Sequence, residues 1–305
     1  MGDCFVAKDA PRNDRLEFGK ALPYFDDIFN VWYHIYSDLA GLERPVRFRL
    51  VRRGESRMGE QATPYDRHLR YRQDFMDVGP RFFLRTWLML KMLQGEQGRL
   101  LDVGCGDGFF LAELARNGYE CTGLDTSAQA VALCRARVAP LGVSVHCLPI
   151  EDFQPEKPFD LAVCGEVLEH VEDDVGFLRQ VYQRLRPGGA LVLSVPLDMR
   201  LWNQADLEAG HFRRYSKREI LDKLAAAGFA VERYTVWGWP LTRALHFWIR
   251  RQQQQRMGRQ PAVQRERDPL LRLKSLLRLG RYLFLVDNLF NWTERGVGIV
   301  VKARR

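Results

Sequence analysis

The six cysteines of this 305-residue chain include no C-x-x-C pair. Cys4, Cys105, Cys121, Cys134, Cys147 and Cys164 mostly fall inside apolar runs, as buried reduced thiols do, so neither a zinc site nor a disulfide framework is implied. No uninterrupted apolar run reaches the roughly 18 residues that a membrane-spanning helix needs. No apolar leader is expected either. Asp3, Lys8, Asp9, Arg12, Asp14 and Arg15 stand where a secretory signal would need its apolar core, and a cytoplasmic location is expected. A recognisable RNA-binding module is also lacking.

What is present is a core-forming composition with an uneven charge. Apolar residues make up 46% of the chain, enough for a normal core in one large domain or two small ones. The net charge is +8, but from Leu241 to Arg305 there are 15 Lys/Arg against 4 Asp/Glu, which leaves 31 against 34 for the first 240 residues. The basic character therefore belongs to the C-terminal part.

The chain is organised around Leu100 to Phe110, LLDVGCGDGFF. An apolar run ends in three alternating glycines, and a helical pattern follows with Leu111, Leu114 and Ala115 on one face. This spacing predicts a strand, a tight turn and a helix, with a small molecule close to a backbone that has no Cβ in the way. A dinucleotide fingerprint would need a third glycine where Phe109 stands, and Asp102 and Asp107 put negative charge where phosphates would lie. A ligand with an ammonium group suits the loop better.

This D-x-G-x-G-x-G run resembles the first motif of the class I S-adenosylmethionine-dependent methyltransferases. Asp125, ending Cys121-Thr122-Gly123-Leu124-Asp125, stands about 20 residues on, where a ribose-binding carboxylate is expected in this architecture. The resemblance implies cofactor contacts from Asp102, Gly104, Gly106 and Asp125. It adds Asp152, past the third strand, for the adenine amine, and Cys164 at the end of the fourth. Helices before the first strand commonly close over the cofactor in this family, which makes Tyr65 and Tyr71 candidates there.

Beyond the loop the pattern alternates: strands over 119–125, 143–148, 159–164, 190–195 and 229–236, with helices over 127–138, 173–185 and 216–227. Ser127 and Ser216 read as N-caps, and Arg186-Pro187-Gly188-Gly189 reads as a stop before the strand at Ala190. The last strand is expected at Gly296 to Lys302, after roughly 60 residues of insertion, far longer than the usual connection. In that insertion Gln252 to Gln260 reads as polar and mobile, and Arg272 to Leu285 as basic and apolar with helical repeats. The expected fold is α/β and Rossmann-like: a mostly parallel, seven-stranded sheet with helices on both faces, an N-terminal helical cap and a long helical insertion. Residues 1–62 are taken as an extension, 63–240 with 295–305 as the methyltransferase core, and 241–294 as a basic lid or attachment surface.

The chemistry is expected after the fourth strand, in Glu166-Val167-Leu168-Glu169-His170. If the turn is helical, Glu166, Glu169 and His170 share a face, and two carboxylates with an imidazole suit a hard divalent ion. The run resembles two metal-dependent O-methyltransferase groups, the ubiquinone-pathway enzymes and the small-RNA 3′-terminal 2′-O-methyltransferases. That resemblance implies Glu166, Glu169 and His170 as ligands of Mg2+ or Mn2+, with a later histidine completing the site. His211 is the candidate, within Trp202, Asp206 and Gly210-His211-Phe212-Arg213-Arg214-Tyr215, a pattern also similar to many bacterial methyltransferases without general metal use. There His170 or His211 would be the general base, with Glu166 beside it. The leading reading is O-methylation of a small-molecule or lipid-linked hydroxyl acceptor, either free of metal or assisted by one on a vicinal diol. Peripheral contact of the basic insertion with an anionic membrane accompanies it. RNA 2′-O-methylation, carbon methylation and a non-catalytic cofactor-binding scaffold are the alternatives.

Overall fold

The computed structural model describes residues 80–257 and 283–305. Tyr65, Tyr71, the extension over 1–62 and residues 258–282 of the insertion lie outside the described residues.

Helix α1 (Pro80–Leu93) leads into β1 (Arg99–Val103), and Leu84, Leu88 and Met92 along it are buried at helical spacing. The chain then alternates through α2 (Phe109–Arg116), β2 (Glu120–Asp125), α3 (Ala128–Val138), β3 (Ser144–Cys147) and β4 (Phe159–Gly165). It continues with α4 (Asp174–Arg184), β5 (Leu185–Pro196), α5 (Gln204–Ala209), α6 (Lys217–Ala226) and β6 (Ala230–Trp237). Helix α7 (Leu241–Met257), a 3-10 helix over Leu283–Thr293 and β7 (Gly298–Arg304) complete it.

The seven strands form one sheet in the order β3-β2-β1-β4-β5-β7-β6, in which β7 alone runs antiparallel to its neighbours. Side chains alternate across it, so each face buries its own core. Leu101, Val103 and Leu193 pack with Leu178, Val181 and Ile220 on one side. Leu100, Leu161 and Val192 pack with Leu84, Leu111 and Val131 on the other. Strand order reverses between β1 and β4, and the crevice outside their carboxyl ends is where an open α/β sheet binds ligands.

Local chemistry sets the element ends. Ser127 Oγ accepts from Ala130 N at 3.1 Å, and Ser216 forms a reciprocal capping box with Glu219. Asp287, fully buried, accepts from the backbone N–H of Leu241 (2.7 Å) and Thr242 (2.8 Å), so the 3-10 helix caps α7 and the two ends of the insertion hold each other.

Two expectations need correction. Arg186 to Gly189 do not end the neighbouring element before a strand at Ala190. Strand β5 already pairs at Leu185 with Phe159, resumes at Ala190 with Leu161, and loops the Pro-Gly-Gly segment out between, with Gly188 at φ +75°. Gln252 to Met257 is not a loose polar stretch either: α7 runs through it, because Gln, Arg and Met are good helix formers wherever no Gly or Pro interrupts. Among the described residues no helix is long and apolar enough to cross a membrane.

Candidate functional site

After Val103 the backbone turns at once. Gly104 N and Cys105 N both donate to Leu124 O (2.8 and 2.9 Å), and Gly106 N donates to Asp125 Oδ2 at 2.8 Å. Gly104 sits at φ +77°, and a Cβ there would come within 2.3 Å of Val167 Cγ2, so glycine is required on two counts. Asp125 also accepts from Ser127 N at 2.9 Å, which fixes its carboxylate at the end of β2. The loop and the second-strand acid are thus one hydrogen-bonded unit.

Beside that unit lies a narrow cleft lined by Phe82, Arg85, Asp102, Gly104, Gly106 and Gly165. Asp102 is buried there, and among the described residues its Oδ2 has no hydrogen-bond partner. Burial first, then the charge of Asp125, pushes its carboxyl up to about 7, while Arg85 pulls the other way. A buried acid with a free oxygen at the cleft wall suits a ligand ammonium. Asp107, by contrast, is engaged: Arg137 Nη2 reaches its Oδ2 at 2.9 Å and lies over the Phe109 ring.

The remaining cofactor candidates divide by position. Asp152 is exposed on a short 3-10 turn just past β3. The Cys164 side chain is fully buried in the apolar core, where burial raises its thiol well above the usual range, so only its backbone could meet a ligand. Tyr65 and Tyr71 lie outside the described residues. Arg81 and Arg85 were not singled out in the sequence; their signal was a basic pair one helical turn apart just before the glycine loop.

The acid and imidazole groups gather at the end of β4. Glu166 has φ +59°, and the turn that follows is a 3-10 turn over Leu168–His170, so Glu166 does not share a helical face with Glu169 and His170. It points elsewhere. Ser194 Oγ donates to Glu166 Oε1 at 3.3 Å, and Arg85 and Arg81 lie 3.5 and 3.8 Å from Oε2. Burial alone would raise Glu166, but Arg85, Arg81 and His211 hold it below its ordinary value.

Glu169 faces the opposite situation. It is completely buried and neither carboxylate oxygen has a hydrogen-bond partner among the described residues. Burial, then the charge of Glu166, raises it well above the usual carboxylate range. His211 Nε2 stands 3.9 Å from Glu169 Oε1, and the His170 and His211 rings meet edge to face at 4.6 Å. One ligand atom from each of Glu169, His170 and His211 lies within 4.8 Å of the other two.

His211 reaches this point because its loop is stitched to the turn after β4. Phe212 N donates to Glu169 O (2.8 Å), Tyr215 Oη to Leu168 O (3.0 Å), and Arg213 pairs with Asp174 at 2.9 Å. His211 Nδ1 donates to the Asp206 carboxylate Oδ1 at 3.0 Å, which turns Nε2 towards Glu169. Asp206 is buried, yet His211 and Arg214 outweigh that and hold it down at about 2. Arg214 Nε and Nη2 grip both Asp206 oxygens at 3.0 Å, and Asn203 N adds a bond at 2.8 Å.

Comparison with known proteins shows the family. A family model described as a methyltransferase domain matches residues 65–234. Ubiquinone biosynthesis O-methyltransferase of Bradyrhizobium sp. is 35% identical over 120 residues, 39% of this chain and 47% of that protein. The protein of the same name from Xanthomonas euvesicatoria is 39% identical over 100 residues, 32% of this chain and 42% of that one. The chain spans about half the length of the curated relatives it matches. Among solved structures, phosphoethanolamine N-methyltransferase 2 of Haemonchus contortus, in complex with S-adenosyl-L-methionine, shares the fold at 16% identity and a TM-score of 0.53, over 80% of this chain and 57% of that one. With its glycine loop, its second-strand Asp125 and a family match over more than half its length, the chain belongs to the class I S-adenosylmethionine-dependent methyltransferases.

Proposed function

We propose that this methyltransferase methylates a hydroxyl oxygen of a small-molecule or lipid-linked acceptor that offers two neighbouring oxygens. The observation that carries the reading is Glu169: a buried carboxyl whose two oxygens have no hydrogen-bond partner among the described residues, facing two imidazoles. An acid left that way costs stability unless a cation completes it. The donor set, one carboxylate and two imidazoles with Asp206 behind one of them, fits a divalent ion such as Mg2+ or Mn2+. Bound by Glu169, His170 and His211, such an ion would supply Lewis acidity that lowers the pKa of a coordinated hydroxyl. Glu166 is spoken for by Arg85, Arg81 and Ser194, and its part is to orient those two guanidinium groups.

S-adenosylmethionine supplies a methyl group on a sulfonium, and transfer is a direct displacement in which alignment does most of the work. In this reading Asp102 accepts from the cofactor's ammonium, Arg85 pairs with its carboxylate, and Asp125 holds the ribose hydroxyls. Met199, Leu207 and Phe212, each more than half exposed, lie in the segments on either side of His211 in sequence, and exposed apolar side chains there suit a lipid-linked substrate. The names of the curated relatives support an oxygen acceptor.

A second reading has its own observation. The Asp206 to His211 hydrogen bond is also how a metal-free general base is held in one tautomer, so His211 would take the acceptor's proton directly. Screening catechols and quinols with a labelled methyl donor, with and without complete chelation, separates the two. Transfer that stops on chelation and in Glu169→Ala supports the first reading. Transfer indifferent to both, but lost in His211→Ala, replaces it with the second.

A further inference from the structure

Arg81 and Arg85 stand one turn apart on α1, and both approach Glu166 Oε2, at 3.8 and 3.5 Å. Their surroundings differ. Arg85 lines the cofactor cleft, whereas Arg81 is not part of its wall. Burial pulls the Arg81 guanidinium below its ordinary value, and the charges that act on it besides are those of Glu166, Arg214, Asp206 and Glu169. Burial and then the charge of Arg81 in turn hold His246 of α7 down at about 4. Arg81 therefore faces the acceptor side, towards the groups that hold His211. At 3.8 Å its contact with Glu166 is an ion pair without a hydrogen bond, so among the described residues its N–H groups have no acceptor. Its side chain is 30% exposed, which lets a ligand reach it.

The charges around it fall one anion short. Asp206 is used on both oxygens by Arg214, with His211 on one of them as well. Glu169, raised well above the usual carboxylate range by burial and then by Glu166, supplies no second anion. Glu166 is thus left alone between two guanidinium groups. The cofactor does not close the gap, because its ammonium and sulfonium outnumber its one carboxylate, and Asp102 at the cleft wall answers to that excess. A divalent ion on Glu169, His170 and His211 would only widen it. A half-buried cation short of an anion costs stability, which a ligand bringing that anion recovers. The excess is a single charge, and an arginine fork matches the two oxygens of a carboxylate, so a monoanion fits better than a phosphate dianion.

We propose that Arg81 is the anion subsite of the acceptor pocket, and that the acceptor carries a carboxylate beside the hydroxyl that is methylated. The proposal deepens the hydroxyl-acceptor reading and rests on it for what lies next to the carboxylate. It is tested by calorimetric titration of protocatechuate, and of its neutral amide, into the full-length protein loaded with S-adenosylhomocysteine. The parent should bind the acid at least about tenfold more tightly than the amide. Arg81→Gln should bring the two to the same affinity, while melting temperature and S-adenosylhomocysteine affinity stay near the parent's, because Arg85 remains on Glu166. Arg81→Lys, which keeps the charge but not the fork, should retain part of the preference. A labelled methyl donor on the same two compounds tests the acceptor reading separately. Preference for the acid without transfer leaves Arg81 standing and removes the neighbouring hydroxyls, whereas equal binding of and transfer to both compounds does the reverse. Equal affinity for acid and amide in the parent, binding of neither, or a preference that survives Arg81→Gln overturns the proposal. So does a loss of S-adenosylhomocysteine affinity in Arg81→Gln as large as the loss for the acid, which would assign Arg81 to the cofactor.

Discussion

Glu169 Oε1 lies 3.9 Å from His211 Nε2, while the far side of the same imidazole is held by Asp206 at 3.0 Å. One carboxyl is buried, unpartnered and raised well above its usual range; the other is gripped by His211 and Arg214 and lowered to about 2. Two acids on either side of one ring are thus driven apart in proton affinity, one left to respond to a cation and the other fixed as an anion that orients the ring.

Replacing Glu169 by Gln should stabilise the ligand-free protein. Because folding raises the pKa of Glu169, the native state binds the extra proton, so the parent loses stability as pH rises above the unfolded value near 4.5. The melting-temperature advantage of Glu169→Gln should therefore widen with pH, while any Mn2+-induced stabilisation of the parent disappears in the variant. Thermal melts across a pH series check both.

Asp102→Asn should show the same opposition at the cofactor cleft. With the native carboxyl at about 7 against 3.8 unfolded, the free protein gives up stability between those values, on the order of 2–4 kcal/mol at pH 8. The variant should melt several degrees higher at pH 8 yet bind S-adenosylhomocysteine at least about tenfold more weakly. In the parent, cofactor affinity should rise as pH passes upward through 7, which isothermal titration at a series of pH values reads directly.

Asp206→Ala should act in the opposite direction. It leaves the buried Arg214 guanidinium without its partner, a loss of about 3–5 kcal/mol. The pair's contribution is present above the unfolded carboxyl value near 3.8 and is lost as pH falls through 2, so acid melts of the parent should approach the variant only at the lowest pH. Chemical denaturation at pH 7, pH 3 and below pH 2 measures this.

Gly104→Ala should destroy the cofactor loop for two separable reasons: a positive φ and a Cβ 2.3 Å from Val167 Cγ2. Gly104→Ala with Val167→Ala removes the clash and leaves the left-handed strain of about 1–2 kcal/mol. Cofactor affinity in the double variant should lie between those of the parent and the single variant.

The parts of this site legible in the sequence are those set by local spacing. Three alternating glycines and an acid ending the next strand are short-range features, and the structure joins them through the Gly106 to Asp125 bond. The Ser127 and Ser216 caps are equally local. Glu166 departs from the helical spacing because its own left-handed backbone swings it away from the face it would share in a helix. Nothing local reveals that Arg81 and Arg85, some 80 residues before it, come to meet it. His211 could be singled out by type, but its place against Glu169 depends on the bonds of Phe212, Arg213 and Tyr215 to a turn about 40 residues earlier. The Pro-Gly-Gly bulge inside β5 misled because a turn signal and a looped-out strand segment use the same residues.

The central claim, that Glu169, His170 and His211 hold a divalent cation beside the cofactor, is tested most directly by calorimetric titration of Mn2+ into the protein loaded with S-adenosylhomocysteine. The account predicts one site per chain, proton release into the buffer as the raised Glu169 carboxyl ionises, and loss of the signal in Glu169→Ala. Absence of binding in the parent, or binding that Glu169→Ala leaves intact, contradicts it.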